Sequence, residues 1–480
     1  MKKFLVRIIG SFIFVNFTPK INFNLKIIVF LTIIQLLIIF NIYTKQNISK
    51  INDNYLKIKN DFNILLPYKI NRKINIGIYC FSIKNGGIER LTSLLINYLS
   101  KIKIFKLYLF TKIKENNEYA IPEDISRIII KYDIYDLIKK ALINKIDILI
   151  YNFYHYEEIN ILNNIKEFKT IFYNHSCFLF WIYANLYNLM STLYTAYKDS
   201  NYVISLIPFE NDYLFKKWGI NSILMNNFIT YEYNEVVPSN LTSKNILMIG
   251  RASDKYKRFE LGIKAMKYIV KEIPQSKMII ISDLSNIDNM KNIIQNLTLE
   301  NYIEFVGYTN SPEIYYKNAS LHIFPTISES FGLVMCETKI YGIPNILVGV
   351  DYLSGIKGGT IIVYDDKPQS IAKEAIKILK NDKYRIKLGK EARKSMKKFN
   401  NNYTLNKWIK LIFSIYNGKK DYEILRKQSK KIDENSAKKI IKNQINLLKL
   451  RIEFFKNLTI REIENYTLFL KYKTFVESNI

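Results

Sequence analysis

Two doubly wound α/β domains facing one cleft is the fold class the sequence predicts. Three observations predict it. Short, nearly continuous apolar runs alternate with helix-periodic stretches, the pattern of parallel strands covered on both faces. The rhythm breaks at 226–244, "NNFITYEYNEVVPSNLTSK", and then starts again. The chain has 480 residues, too many for one ordinary core.

The first series opens with "INIGIYCF", a buried strand that meets "KNGG", and continues as "IERLTSLLINYLSKI", with Leu91, Leu94, Leu95 and Tyr98 at helical spacing. Strand, glycine turn and helix are the first half of a βα unit. "FKLYLFT", "SRIIIKY", "IDILIYNF", "FKTIFYNH" and "NYVISLI" continue the strands. After the break come "NILMIG", "KMIIIS", "YIEFVG", "SLHIFPT", "PNILVG" and "GTIIVY", with "RFELGIKAMKYIVKEI" and "KPQSIAKEAIKILKN" as helices. The expected organisation is a hydrophobic N-terminal segment at 1–44, a linker at 45–72, a first domain at 73–228, a connection at 229–243, a second domain at 244–418 and a helical extension at 419–480.

The 18 uncharged residues "IIVFLTIIQLLIIFNIYT" between Lys26 and Lys45 would form a helix of about 27 Å, near the bilayer's hydrocarbon thickness. No small-residue cleavage site follows, so a membrane anchor is expected. The lysines and arginines around it lean towards a C-terminal body on the cytoplasmic face. The net charge of +29 suits phosphate-bearing substrates or an anionic membrane. Its lysines are spread over the whole length, so a nucleic-acid surface is not expected. Cys80, Cys177 and Cys336 lie far apart and form no CxxC, which favours buried thiols over a disulfide frame or a zinc site. His155, His175 and His322 have no metal-ligand spacing, and no metal is expected.

Ligands of doubly wound sheets bind outside the carboxyl ends of the strands. Four such segments carry candidate chemistry. Gly86 and Gly87 let backbone amides approach a phosphate or an acceptor. His175 follows a strand directly. Arg251 and Lys257 share one strand-end loop and can clamp a diphosphate. In "PTISESFGLVMCET", Glu329 precedes a helix whose N-cap is expected at Ser330, and Glu337 is expected about two turns in. Gly342 and Pro344 stop that helix.

These residues resemble a known family. "ESFGLVMCE" is similar to the E-x7-E signature of the retaining glycosyltransferases of family 4, the group 1 glycosyltransferases, whose GT-B fold pairs two Rossmann-like domains. "FPT", "YGIP", "IGR…K" and "NGGIER" agree with it, over residues 74–417. The resemblance implies a retaining, metal-independent transfer of a sugar from a nucleotide sugar to a glycan or lipid-linked acceptor. The nucleotide sugar is a co-substrate, and no cofactor is implied. By matching position, Arg251 and Lys257 would bind the donor diphosphate. Glu329 would hold sugar hydroxyls, and the amides of Phe331, Gly332 and Leu333 would approach sugar and phosphate. Glu337 would bind the ribose, Gly87 would lie near phosphate or acceptor, and His175 near the reacting centre. Arg258 stands where the family usually has a glycine.

Other functions fit the residues less well. A dinucleotide oxidoreductase would carry GxGxxG where "KNGGIER" stands. A phosphorylase would need a lysine-bound cofactor for which no motif is seen. A protein that binds nucleotide or glycan without transfer, and a basic membrane scaffold, remain as alternatives.

Overall fold

The computed structural model describes residues 72–84, 86–152, 156–175, 177, 197–211, 219, 220, 222–285, 287–309, 311–353, 355–416 and 418, and positions 435, 436, 438–440, 442–444, 446, 447 and 451. The expected N-terminal anchor and nearly all of the linker lie outside these residues. Among the described residues no helix is long and apolar enough to cross a membrane.

The chain separates into two units, Met1–Tyr68 with Tyr132–Ile143, and Lys69–Lys131 with Asn144–Ile480. In the first unit the described part is Tyr132–Ile143, mostly helix α2, Ile134–Ile143, whose Ile134, Leu137, Ile138, Ala141 and Leu142 form one buried stripe at helical spacing. The second unit contains both sheets.

The first sheet comprises β1 (Ile74–Tyr79), β2 (Phe105–Thr111), β3 (Ser126–Ile129), β4 (Ile148–Tyr151), β5 (Lys169–Tyr173), β6 (Tyr202–Ser205) and β7 (Ser222–Leu224). Their order is β3-β2-β1-β4-β5-β6-β7, and every pairing is parallel. Helices α1 (Gly87–Leu99) and α3 (Tyr156–Asn163) belong to this half. The second sheet comprises β8 (Asn245–Ile249), β9 (Lys277–Ile281), β10 (Ile303–Phe305), β11 (Leu321–Phe324), β12 (Asn345–Val348) and β13 (Thr360–Val363), in the order β10-β9-β8-β11-β12-β13, again all parallel. Its helices are α4 (Phe259–Glu272), α5 (Asp288–Asn296), α6 (Glu313–Lys317), α7 (Leu333–Ile340), α8 (Pro368–Lys380) and α9 (Asp382–Met396).

The apolar runs are continuous because the central strands have no solvent face: β4, β11 and β12 are buried at every position. Strand β7 was not foreseen, and at three residues it is too short to show a period.

Each sheet has one place where strand order reverses, β1 beside β4 and β8 beside β11. The carboxyl ends there are where a ligand finds converging loops rather than a closed ladder. Helix α10 (Asn401–Tyr416) returns to the first sheet: Trp408 is fully buried with its ring 5.5 Å from Tyr173, and Lys407 Nζ donates to the Leu224 carbonyl. At its start, Asn401 exchanges hydrogen bonds with both backbone groups of Ile229, and so pins the connection between the two halves.

Candidate functional site

The loops that leave β8 and β11 build the second-sheet side of the site. Arg251, just past β8, is exposed. The loop that carries it is organised by Asp283 beyond β9, which accepts from the Ala252 amide at 3.0 Å and from the Ser253 hydroxyl at 2.8 Å. Burial acts on Asp283 in the opposite direction, but its hydrogen bonds to Ser285, Ser253, Ser282 and Ala252 hold it below the ordinary carboxylate range. A 3-10 turn, Lys255–Lys257, follows, with Asp254 as its N-cap.

Lys257 Nζ lies 2.9 Å from Glu329 Oε2 and 5.6 Å from the centre of the Phe324 ring. This places a cation from the β8 loop against a carboxylate from the β11 loop, at the strand-order switch. Arg258 adopts φ +49°, the left-handed region that a glycine takes without cost. Its side chain uses that turn: Nε donates to the Pro325 carbonyl at 2.8 Å, and one Nη pairs with Asp366 at 2.7 Å.

The expected cap at Ser330 is corrected. The N-cap of α7 is Gly332, at φ +75°, and no side chain caps the helix. The first-turn amides of α7 therefore keep their donor capacity and the positive end of the helix dipole. The ideal Cβ position at Gly332 lies 3.4 Å from Leu353 and Met335, so the left-handed φ rather than a clash selects glycine there. Glu329 folds back on its own loop, with Oε1 accepting from the Ser330 amide at 3.1 Å, and the Glu329 amide donates to the Tyr352 hydroxyl. Gly342, at φ +73°, ends the helix.

Glu337 is the fifth residue of α7, little more than one turn in rather than the two expected. Its side chain has no exposed surface. One oxygen lies 2.9 Å from Arg90 of α1 and accepts from the Thr230 hydroxyl at 2.7 Å. The other accepts from Tyr316 at 2.9 Å. Burial, and then the Glu337 charge, push the Tyr316 phenol well above its ordinary value, so it stays a donor. A buried carboxylate needs this set of donors. In the sequence Arg90 stands only as the last residue of "NGGIER", behind the glycine turn. Nothing in the spacing signals a pair 247 residues apart in sequence.

On the first-sheet side, β1 ends at the switch and leads to Gly86 and Gly87. Gly86 is extended, and a Cβ there would strike the Glu89 carboxylate. Gly87 faces open space, with nothing within 4 Å of an added Cβ. Burial raises the Glu89 carboxyl, and Arg251 from the other half works against that rise. Helix α1 therefore meets the second half through Glu89 and Arg90, and through Tyr98, whose hydroxyl bonds to Glu232 at 3.0 Å.

His175 follows β5. The Thr92 hydroxyl donates to the Ile88 carbonyl and so accepts from the Asn152 amide, which turns the Asn152 carbonyl towards His175 Nε2 at 3.0 Å. That carbonyl can only accept, so Nε2 carries the ring proton and Nδ1 is left as an acceptor. Nδ1 is buried and meets no partner among the described residues. Burial pushes the imidazole down to about 3, so it is neutral near pH 7. Through Asn152 and Thr92 it is linked to the first turn of α1, behind Gly87. His322, in contrast, is a packing residue beneath α7, hydrogen-bonded to Asn345. All three cysteines are buried thiols. Among the described residues, no group of three or more His, Cys, Asp or Glu gathers as a metal site would require.

Two parallel sheets with paired switch points, facing loops and a returning terminal helix define a GT-B-like α/β protein. Solved structures agree on the fold. Sucrose-phosphate synthase from Thermosynechococcus elongatus superposes with a TM-score of 0.59 at 16% identity, over 72% of this chain and all of that one. The Anabaena protein HepE in complex with UDP and glucose gives 0.57 at 15%, over 71% and 99%. Residues 231–395 match the model of the family described as Glycosyl transferases group 1. An uncharacterised glycosyltransferase of Haemophilus influenzae is 26% identical over 168 residues, 34% of this chain and 46% of its own length. The poly(glycerol-phosphate) alpha-glucosyltransferase of Bacillus subtilis is 26% identical over 153 residues, 31% of this chain and 22% of its own. The matched region thus spans less than half of either relative.

Proposed function

We propose that the chain is a retaining glycosyltransferase. It moves a sugar from a nucleotide sugar to a glycan or lipid-linked acceptor in cell-surface polysaccharide or glycolipid synthesis, with its catalytic body on the cytoplasmic face of a membrane. The observation that carries this reading is the Lys257–Glu329 pair beside the uncapped start of α7. A cation and a hydroxyl-binding carboxylate one ion pair apart match the junction of a sugar and its phosphate.

Arg251, Lys257 and the first amides of α7, from Phe331 to Leu333, take the diphosphate. As the bond from the sugar C1 to phosphate breaks, negative charge grows on the leaving group, so these donors serve the transition state more than the ground state. Glu329 orients sugar hydroxyls. The acceptor oxygen bonds to C1 on the face that the phosphate leaves, and the phosphate takes the acceptor proton, so no strong protein base is required. Neutral His175, with Nδ1 as an acceptor, receives a hydrogen bond from a substrate hydroxyl, and Gly86 and Gly87 admit phosphate or acceptor. Glu337 binds the ribose only once Arg90 has moved away. The alpha linkage in the name of the Bacillus relative supports retention, because an α-configured donor gives an α product only that way.

Thermal protection by a panel of nucleotide sugars tests the reading. A ligand at 100 times its Kd stabilises by about 2.7 kcal/mol. With the protecting donor and a glycan or lipid acceptor, NMR of the product reads the anomeric configuration. Protection by no donor would remove the donor assignment, and an inverted product would remove retention. The sealed state of Glu337 favours one rival, nucleotide binding without transfer, in which a donor protects the protein and no product forms.

A further inference from the structure

We propose that the C-terminal segment containing Gln444, Leu447 and Arg451, which lies outside the family match, braces the donor loops, with Asp366 and Arg451 as positioning residues. The inference rests on the donor site proposed above. The described positions between 435 and 451 are helical, and Leu447 and Arg451 are almost wholly buried.

Two routes connect this segment to the Lys257–Glu329 pair. In the first, Arg451 Nε lies 2.9 Å from one Asp366 oxygen, and its Nη2 lies 3.3 Å from the other. Asp366 also holds Arg258 at 2.7 Å, and Arg258 in turn donates to the Pro325 carbonyl. Arg258 adjoins Lys257, and Pro325 opens the loop that carries Glu329. Burial raises the Asp366 carboxyl, yet Arg258 and Arg451 together outweigh it and hold it below the ordinary range. It is therefore a charged bridge between two arginines. A planar guanidinium held bidentately fixes direction as well as distance.

The second route runs through the loop that leaves β12. Gln444 Nε2 donates to the Gly349 carbonyl and, at 2.8 Å, to Asp351. Asn443 donates to the other Asp351 oxygen at 2.8 Å. Leu447 packs so closely on Gly349 that a Cβ there would lie 2.4 Å from it. The next residue after Asp351 is Tyr352, whose hydroxyl accepts from the Glu329 amide. One segment thus supports both loops that the donor must meet. A segment that only covered apolar surface would need Leu447, but neither polar route.

The test uses the full chain. Amide hydrogen exchange at residues 251–258 and 325–332 needs no ligand, and Arg451→Met should speed it at least tenfold there while the first sheet stays unchanged. Steady-state transfer with the donor that protects the wild type should show a donor KM raised about tenfold and an acceptor KM unchanged. Arg451→Lys, which keeps charge without the fork, should fall between. Asp366→Asn should match Arg451→Met. Unchanged exchange and donor KM in Arg451→Met, or equal losses for donor and acceptor, would overturn the brace while leaving the donor site intact. If Arg451→Met does not fold, Arg451→Lys and Gln444→Ala decide by the same two readouts. A wild-type chain that no donor protects would overturn both proposals.

Discussion

Glu329 and Glu337 stand eight positions apart and live in opposite surroundings. The Glu329 side chain is 19% exposed, and its ion-pair partner Lys257 is 21% exposed and on a flexible stem. Glu337 is fully buried and bonded to Tyr316 and Thr230, while its partner Arg90 from the other half is 22% exposed, so the two pairs differ in the acid rather than the cation. A part-exposed pair contributes about 0–1 kcal/mol and opens readily to a ligand. Leaving a buried carboxylate without its cation costs about 3–5 kcal/mol. The same residue type at a fixed spacing therefore provides one group poised for a ligand and one that holds the halves together until something replaces Arg90.

The largest effect should come from the sealed side. Arg90→Met leaves Glu337 buried with two neutral donors, and should lower unfolding stability by about 3–5 kcal/mol. Urea unfolding measures it. Adding Glu337→Gln should recover much of the loss, because the stranded charge is gone. A single-variant loss below about 1 kcal/mol would mean that Arg90 and Glu337 are no more coupled than a surface pair.

On the open side, Lys257→Ala should change catalysis rather than stability. Removing a preorganised charge donor lowers turnover about 10²–10³-fold, whereas the exposed pair contributes at most about 1 kcal/mol to folding. Turnover and the thermal midpoint should be read on the same protein. A large fall in midpoint with unchanged turnover would reverse the roles assigned to the two glutamates.

The strands were legible because each is a short apolar run bounded by glycine, proline or polar residues, as in "NILMIG" and "PNILVG". The candidate loops were legible because a doubly wound sheet places its strand ends together. What the sequence did not show depends on long-range contact. Arg90 and Glu337 lie in different halves, and Asp366 is one acid among many in a lysine-rich chain until Arg258 and Arg451 close on it. The cap at Gly332 was missed because Ser330 has the better capping side chain, while the loop geometry required a left-handed residue two positions later. Arg258, a departure from the usual glycine, keeps the glycine conformation and adds two contacts.

Acid should lower stability through the two buried histidines. His322 lies beneath α7, where Thr338 Oγ1 is 3.4 Å from its Nδ1, and burial pushes it down to about 4, against a hydrogen bond to Asn345 that raises it. Its folded value is below its unfolded one, so the unfolded chain binds more protons between pH 6.5 and 4. Stability is then full above pH 6.5 and declines as pH falls through that window, on the order of 1.4 kcal/mol per pH unit. His175, pushed down to about 3, adds in the same direction. In urea titrations from pH 7 to 5, His322→Asn should flatten part of this slope, and an unchanged slope would remove His322 from the account.

The smallest effect on stability is expected at Arg258→Gly. A non-glycine residue in the left-handed region carries about 1–2 kcal/mol of strain, which glycine relieves. The substitution also removes the bonds to Pro325 and Asp366, while Asp366 keeps Arg451. These terms oppose each other, so unfolding stability should stay within about 1 kcal/mol of wild type, and Glu337, which shares no partner with Arg258, should not sense the change. The Lys257–Glu329 side loses the first of its two supports, so the donor KM should rise about tenfold, as in Arg451→Met, with turnover nearly kept. If the donor KM does not move, Arg258 only shapes the turn, and the open site is held through Tyr352 alone.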